Sequence, residues 1–172
     1  KNHLVGVTRW CKDIAPVAHL PSVGDCWMLD SSRIASFRPT LIIGSVPFRT
    51  ETVQEILKQP TSFLATNPRS LEDIESDIRL LGGIIGRAAM AEKIVARMRR
   101  QFSVTAKAAA RALRGRERRR VYSEAWPAPR ISSPPWVAEL IDIAGGQMVV
   151  PAGTRVTDEE VACAKPDVIV IA

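Results

Sequence analysis

The chain has 172 residues and a formal net charge of +6 at neutral pH, and 46% of its residues are hydrophobic. This length allows one domain, or two small ones, with a buried core. No apolar run approaches the roughly 18 to 20 residues that a membrane span needs, and the odd number of cysteines, none in CxxC spacing, argues against a disulfide framework.

The first part of the chain alternates predicted strands with predicted helices. The segment from 50 to 59 is amphipathic, with Val53 and Ile56 on its inner face, and Pro60 ends it. This alternation indicates βαβ units and a mainly parallel sheet. The predicted elements are a strand at 4–7, a helix at 31–38, a strand at 41–43, a helix at 50–59, a strand at 62–65 and a helix at 71–81.

A long helix is predicted next. Gly82 and Gly83 are expected to end the preceding helix, with a turn near Gly86. Apolar residues then recur every three or four positions, as on one face of a helix. If it runs from 87 to 114, the helix is about 40 Å long, which is longer than a small lobe is wide. The apolar residues are Ala91, Val95, Met98, Phe102, Ala106, Ala109 and Leu113.

A second α/β segment follows the long helix. Its elements are a strand at 120–123, a Pro-rich loop at 124–135, a helix at 136–144, a strand at 148–150, a helix at 158–165 and a strand at 168–171. The predicted fold is therefore α/β, with two lobes joined by one long inter-lobe helix. We expect an N-terminal lobe at 1–86, the inter-lobe helix at 87–117 and a C-terminal lobe at 118–172.

An internal repeat supports two lobes of related construction. When Pro39 is aligned with Pro166, each copy shows a short helix that ends at a basic residue, then the proline, then an apolar strand. The second copy opens with Thr157 and Glu160 at the spacing of a capping box. Helix, proline and strand in this order are also common in α/β proteins generally. The repeat alone therefore leaves open the alternative that the two copies are a generic arrangement.

Half of the basic residues lie between positions 87 and 120, and the densest run is at 114–120. Cations are favoured at the C-terminus of a helix, and a polar face is usually solvated. No aromatic residue is interleaved with these arginines, as a groove for single-stranded nucleic acid requires. We therefore predict no nucleic-acid partner, and an intracellular nucleic-acid-associated α/β protein is the alternative from another class.

Large aromatic residues are the candidate ligand-binding residues. In open α/β sheets the ligand lies beyond the carboxyl ends of the strands, and we expect several aromatics in the loops there or in turns. Such a set fits a cleft for a large, flat, largely apolar ligand. The alternative is that each ring packs locally as a hydrophobic anchor, and Trp136, at a helix start, is the first candidate for that role. The candidates are Trp10, Trp27, Phe48, Trp126 and Trp136.

Catalytic and metal-ligating patterns are weak in this sequence. His3 and His19 are not spaced with Cys or carboxylate residues as metal ligands usually are. Ser45 follows a strand but lacks the G-x-S-x-G context of a nucleophile. We therefore predict a binding protein without catalytic residues or a metal site, and not an enzyme.

The chain resembles the periplasmic cobalamin-binding proteins, a family of ABC-importer substrate-binding proteins related to those for siderophores and haem. The segments at 121–129, 136–146 and 161–170 resemble the second lobe of this family, and those at 4–10 and 33–43 resemble the first. The resemblance covers nearly the whole chain. It implies that the chain lacks the family's first strand and helix and its C-terminal segment.

The resemblance implies non-enzymatic capture of cobalamin or a related corrinoid in the inter-lobe cleft, with a siderophore or haem as the alternative. Cobalamin would be the transported ligand, not a cofactor. The protein would act as a monomer with ABC permease subunits, in the periplasm or another extracytoplasmic place, with or without a lipid anchor. Trp10 matches a position where the family carries a stacking aromatic, and Trp126 lies close to another. Trp27 and Phe48 align less well.

The resemblance also implies docking on the permease through one acidic residue in each lobe. Glu159 matches the second-lobe position. The first-lobe equivalent is Ser32, with Asp30 two residues away, so the first lobe departs from the family's docking pattern.

Overall fold

The computed structural model describes residues 3–24 and 31–171. The chain divides into two compact units, Lys1–Asn67 and Pro68–Ala172. The helix that precedes the long helix therefore belongs to the second unit, whereas the predicted lobe boundary lay after residue 86. The boundaries predicted from sequence remain a prediction. Among the described residues, no helix has both the length and the apolar composition that crossing a bilayer requires.

The first unit contains two parallel strands in register, with Leu41 opposite Ser62 and Ser45 opposite Thr66. The strand predicted at 4–7 is wrong: Val7 forms only an isolated bridge with Ser22. Pro21 in the facing segment has no N–H for a longer ladder. The elements are α1 (Cys11–Ile14), α2 (Ser31–Ser36), β1 (Leu41–Ser45), α3 (Thr50–Leu57) and β2 (Ser62–Thr66).

The second unit is built around one central strand, β3, which pairs in parallel with β5 and β6 and antiparallel with β4. Together with the parallel pair of the first unit, this confirms the predicted α/β class with mainly parallel sheets. The elements are α4 (Leu71–Ile84), α5 (Ala88–Ala112), β3 (Arg119–Pro127), β4 (Arg130–Ser132), α6 (Pro135–Ile143), β5 (Gly146–Met148), α7 (Asp158–Cys163) and β6 (Val168–Ile171).

Both copies of the predicted repeat are present. Helix α2 leads to β1 through Arg38, and α7 leads to β6 through Lys165. The two basic residues share a left-handed backbone, with φ of 45° and 43°, which turns the chain out of the helix before the proline. The capping box of Thr157 and Glu160 is also present. The two copies of the repeat therefore share the backbone conformation of the residue before the proline, as well as the order of their elements.

The long helix α5 has 25 residues and packs against α4. The prediction that Gly82 and Gly83 end a helix is wrong, because both lie inside α4. A Cβ atom at Gly82 would lie 2.5 Å from the Cβ of Ala91, so this glycine allows the two helices to approach closely. Packing between the helices thus overrides the local preference of glycine.

The segment predicted as a Pro-rich loop is largely a β-hairpin. Strand β3 continues through Trp126 to Pro127, and Pro127 pairs with Arg130 at the start of β4. Proline is tolerated there because it lies at the end of the ladder. Strand β5 starts at Gly146, two residues before the predicted start of that strand.

Candidate functional site

The hairpin of β3 and β4 presents Trp126. This residue is 46% exposed, and its indole Nε1–H donates a hydrogen bond to the carbonyl of Ala128, 3.0 Å away. A tryptophan has only one polar group, and here the turn satisfies it. The ring is therefore held in one orientation and leaves apolar surface for a ligand. The expectation of a loop position for Trp126 is wrong, since it lies on a strand.

A buried polar network lies within this hairpin. Glu124 is only 5% exposed and accepts a hydrogen bond from the hydroxyl of Tyr122 at 3.1 Å. Arg130 donates to the same carboxylate oxygen through Nη1, and its Nε donates to Asp158 at 2.8 Å. Burial raises the pKa of Tyr122, so its hydroxyl stays a donor. The buried carboxylate is thus both paired and hydrogen-bonded, as such a group requires.

Serine side chains fasten the hairpin to its surroundings. The hydroxyls of Ser123 and Ser133 lie 2.8 Å apart. Ser132 donates to the carbonyl of Pro151 at 2.6 Å and accepts from the backbone N–H of Thr154 at 3.0 Å. All three serines are buried, so these bonds hold the hairpin against the segment at 149–156. The hairpin that carries Trp126 is therefore rigid.

In the first unit, Trp10 immediately precedes α1 and is 50% exposed. The guanidinium of Arg9 lies 4.2 Å from the centroid of its ring. This cation–π contact orients the indole. Trp10 is thus a half-exposed, oriented aromatic like Trp126, in keeping with its expected role in binding.

The other candidate aromatics are placed differently. Phe48 is half-buried and packs edge-to-face on Phe63, with 5.8 Å between the ring centroids. This contact favours the local anchor that was the alternative for each aromatic. Trp136 is half-buried at the second position of α6. Trp27 lies outside the described residues, and ligand contact remains a prediction for all five aromatics.

Glu159, which is predicted to dock on a permease, and Ser32, its counterpart in the first copy, lie at equivalent places in the repeat. Glu159 is exposed at the second position of α7, and Ser32 is exposed at the second position of α2. Asp30 lies outside the described residues. The neighbour of Glu159, Asp158, is held by Arg130. Glu159 is thus accessible to a partner, and the ion pair of Asp158 with Arg130 anchors the start of α7. Docking through Glu159 remains a prediction.

Sequence reasoning missed the network of Tyr122, Glu124 and Arg130. A signal was available, because Glu124 is the only acidic residue between positions 118 and 138, and Arg130 is the only basic residue between 121 and 154. An isolated acid and base on a short apolar hairpin indicate a mutual pair.

A pocket in the second unit is not an aromatic site. A pocket of about 290 Å³ lies between the segment at 149–156 and α7, and the four described candidate aromatics do not line it. Within residues 3–24 and 31–171, no group of three or more His, Cys, Asp or Glu side chains is placed to hold a metal ion.

Comparison with known proteins gives one family. The model of the family described as periplasmic binding protein matches residues 2–172. None of the curated proteins matches the chain.

Several solved structures share the fold. A periplasmic heme-binding protein from Pseudomonas aeruginosa is 21% identical with a TM-score of 0.81, and 98% of this chain covers 63% of that one. The vitamin B12-binding protein BtuF of Vibrio cholerae is 17% identical with a TM-score of 0.76, over 98% of this chain and 68% of that one. The heme-binding protein RhuT from Roseiflexus sp. RS-1 is 22% identical with a TM-score of 0.78, over 97% and 67%. The chain thus spans about two thirds of the length of these structures.

Proposed function

The chain belongs to the periplasmic binding protein family, and we propose that it captures cobalamin or a related corrinoid outside the cytoplasm for an ABC importer. The observation that carries the proposal is Trp126, a half-exposed indole whose N–H is satisfied within its own hairpin. A ring held in this way offers its face for stacking on a large flat ligand.

The rigidity of the hairpin supports a binding role. Because the Glu124 and Arg130 pair and the buried serines fix the strand that carries Trp126, little side-chain freedom is lost when a ligand stacks on the indole. Preorganisation of this kind raises affinity by lowering the entropic cost of binding. Trp10, oriented by Arg9, supplies a comparable surface in the first unit. That one ligand contacts both lobes remains a prediction.

Haem is the second candidate, because similar folds include haem-binding proteins. Haem iron takes an axial ligand such as His, Cys, Met or Tyr. Tyr122 is the only tyrosine, is 1% exposed and donates to Glu124, so it does not serve as that ligand. Cobalamin carries its own axial base and needs no such residue. The exposed His19 is the residue to test for haem.

Isothermal titration of the 172-residue chain with cyanocobalamin, haemin and a ferric siderophore tests the proposal. Trp126→Leu should weaken cobalamin binding about tenfold, because about 1 to 1.5 kcal/mol of stacking is lost. Phe102→Leu removes a half-buried ring from α5 and is the control, with unchanged affinity. If haemin or the siderophore binds and cyanocobalamin does not, the corrinoid assignment fails while the class of protein stands.

We also propose that Glu159 contacts the permease. Glu159→Gln should weaken binding to a detergent-solubilised ABC permease of a corrinoid importer, because an exposed carboxylate steers association with a basic partner. Glu117→Gln, at another exposed carboxylate, removes the same charge and should leave that binding unchanged. Equal effects of the two substitutions would contradict the assignment.

A further inference from the structure

The outer face of helix α5 carries a series of positive charges. Five basic residues follow one another at steps of four, three, seven and four along the helix, so at 100° per residue they fall within a stripe about 80° wide. The stripe is about 27 Å long at 1.5 Å per residue. Only Val104, which is 68% exposed, interrupts it. The residues of this basic stripe are Lys93, Arg97, Arg100, Lys107 and Arg111.

The stripe differs from an ordinary solvated helix face. Solvated faces usually mix both signs of charge, with acidic and basic residues spaced to pair along the helix. Between Glu92 and Glu117 the sequence has no acidic residue at all. Helix α5 is therefore basic along nearly its whole length.

The five side chains have no ion pair or hydrogen bond with any residue in the described parts of the chain. Arg99, on the same helix but to one side of the stripe, shows the contrast. It donates from Nε to Glu75 at 2.9 Å and is used within the fold. The charges of the basic stripe are exposed and are not used in this way. They remain available to a partner.

The geometry of the helix directs the stripe outwards. Ala91 and Val95, which are buried, lie on the side of the helix opposite the stripe, as do the half-buried Met98 and Phe102. The apolar side packs into the unit, and the basic side faces away from it. A flat or linear polyanion can therefore reach all five charges without any change in the fold.

We propose that the basic stripe docks on the surface of an anionic lipid membrane, with the phosphodiester headgroups as its partners. A straight row of charges about 27 Å long matches a planar array of headgroups. Family membership places the protein outside the cytoplasm, where a membrane surface is at hand. The stripe carries no aromatic residue for stacking on bases. Val104 is its only apolar side chain, so the helix rests on the headgroups without inserting.

The size of the effect follows from the number of charges. A Lys or Arg beside an anionic bilayer contributes about 1 kcal/mol, which is about a fivefold gain in partitioning. Loss of three of the five charges should therefore reduce partitioning about 100-fold. The attraction should be lost in about 1 M salt, where the Debye length is about 3 Å.

Flotation of the 172-residue chain with vesicles tests the proposal. We expect binding at low salt to vesicles of one third phosphatidylglycerol in phosphatidylcholine, and none to pure phosphatidylcholine. The combined substitution Lys93→Gln, Arg97→Gln and Arg100→Gln should abolish it, since glutamine keeps the helix propensity. The control removes three exposed basic residues elsewhere in the chain and should keep most of the binding. Its substitutions are Arg38→Gln, Arg69→Gln and Arg155→Gln.

Three results would overturn the proposal. The first is failure of the unsubstituted chain to bind phosphatidylglycerol vesicles at low salt. The second is an equal loss in the two triple variants, because binding would then follow net charge alone. The third is stripe-dependent binding to duplex DNA that is tighter than binding to the vesicles, since the partner would then be a nucleic acid. Thermal unfolding of each variant checks that it is folded, and the test needs no knowledge of the captured ligand.

Discussion

Arg130→Met should destabilise the second unit by removing the cation that pairs with Glu124. The side chain of Glu124 is 6% exposed, and after the substitution the hydroxyl of Tyr122 would be the one side chain among the described residues that still donates to it. Removal of one partner from a buried ion pair costs about 3 to 5 kcal/mol. Because the Arg130 side chain is 32% exposed, water can enter the space it leaves. We therefore expect a cost of about 2 to 3 kcal/mol.

Urea unfolding at pH 7 measures this cost. Arg155→Met, at an exposed arginine of the same unit, is the control and should change the free energy of unfolding by no more than about 0.5 kcal/mol. Adding Glu124→Gln to Arg130→Met removes the unpaired charge and should restore at least about 1 kcal/mol.

The reasoning is refuted if Arg130→Met unfolds like the control. It also fails if Glu124→Gln gives no recovery, because the cost would then come from lost packing of the arginine stem and not from a stranded carboxylate. Trp126 shares the hairpin with both members of the pair, so the part of the near-ultraviolet circular dichroism that Trp126→Leu removes adds a local readout.

Three further predictions concern stability, each measured by urea unfolding. Arg99 holds the pKa of the Glu75 carboxyl below its usual range; the resulting stability is present above an unfolded-state pKa of about 4.3 and is lost as the pH falls through the lower folded-state pKa. Arg99→Met should therefore lower the free energy of unfolding at pH 7 and make it depend less on pH in the acid range. An unchanged dependence on pH would contradict this. Lys165→Gly should raise the free energy of unfolding by about 0.5 to 1 kcal/mol, because glycine adopts the left-handed backbone of this position without strain. A lower free energy of unfolding would mean that the lysine side chain contributes more than the strain costs. Gly82→Ala should lower the free energy of unfolding by about 1 to 3 kcal/mol. At Gly83 an added Cβ meets no atom within 4 Å, so Gly83→Ala should raise it by about 0.5 to 1 kcal/mol. Equal effects would refute the close approach of α4 and α5 at Gly82.

Local signals predicted the repeat well. Pro39 and Pro166 cannot continue a helix, and the spacing of Thr157 and Glu160 specifies a helix start. Each of these effects acts within a few residues, so no knowledge of distant partners was needed. The structure adds the left-handed backbone that precedes each proline.

Features that depend on tertiary contacts were not predictable in this way. Gly82 signals a helix end by itself, but its closeness to Ala91 reflects packing between two helices. The Pro-rich composition after Glu124 indicates a loop, whereas cross-strand pairing makes it a hairpin. Strand formation depends on such partners more than on intrinsic preference.

The candidate site was predicted in part. The aromatic residues could be chosen from the sequence because large exposed rings need a partner. The edge-to-face contact of Phe48 with Phe63 depends on the pairing of β1 with β2, and the Arg130 network depends on the hairpin. The isolated charges of Glu124 and Arg130 are visible in the sequence, but the strand pairings that bring these partners together are not.

Competition dialysis is the most direct test of corrinoid capture. The 172-residue chain is equilibrated with cyanocobalamin, and haemin is then added in increasing amounts while the absorbance of each ligand is read inside the chamber. The proposal predicts one cyanocobalamin per chain, weaker retention by Trp126→Leu, and no displacement by an equal concentration of haemin. Displacement by haemin at lower concentration, or no retention of cyanocobalamin at all, would contradict it.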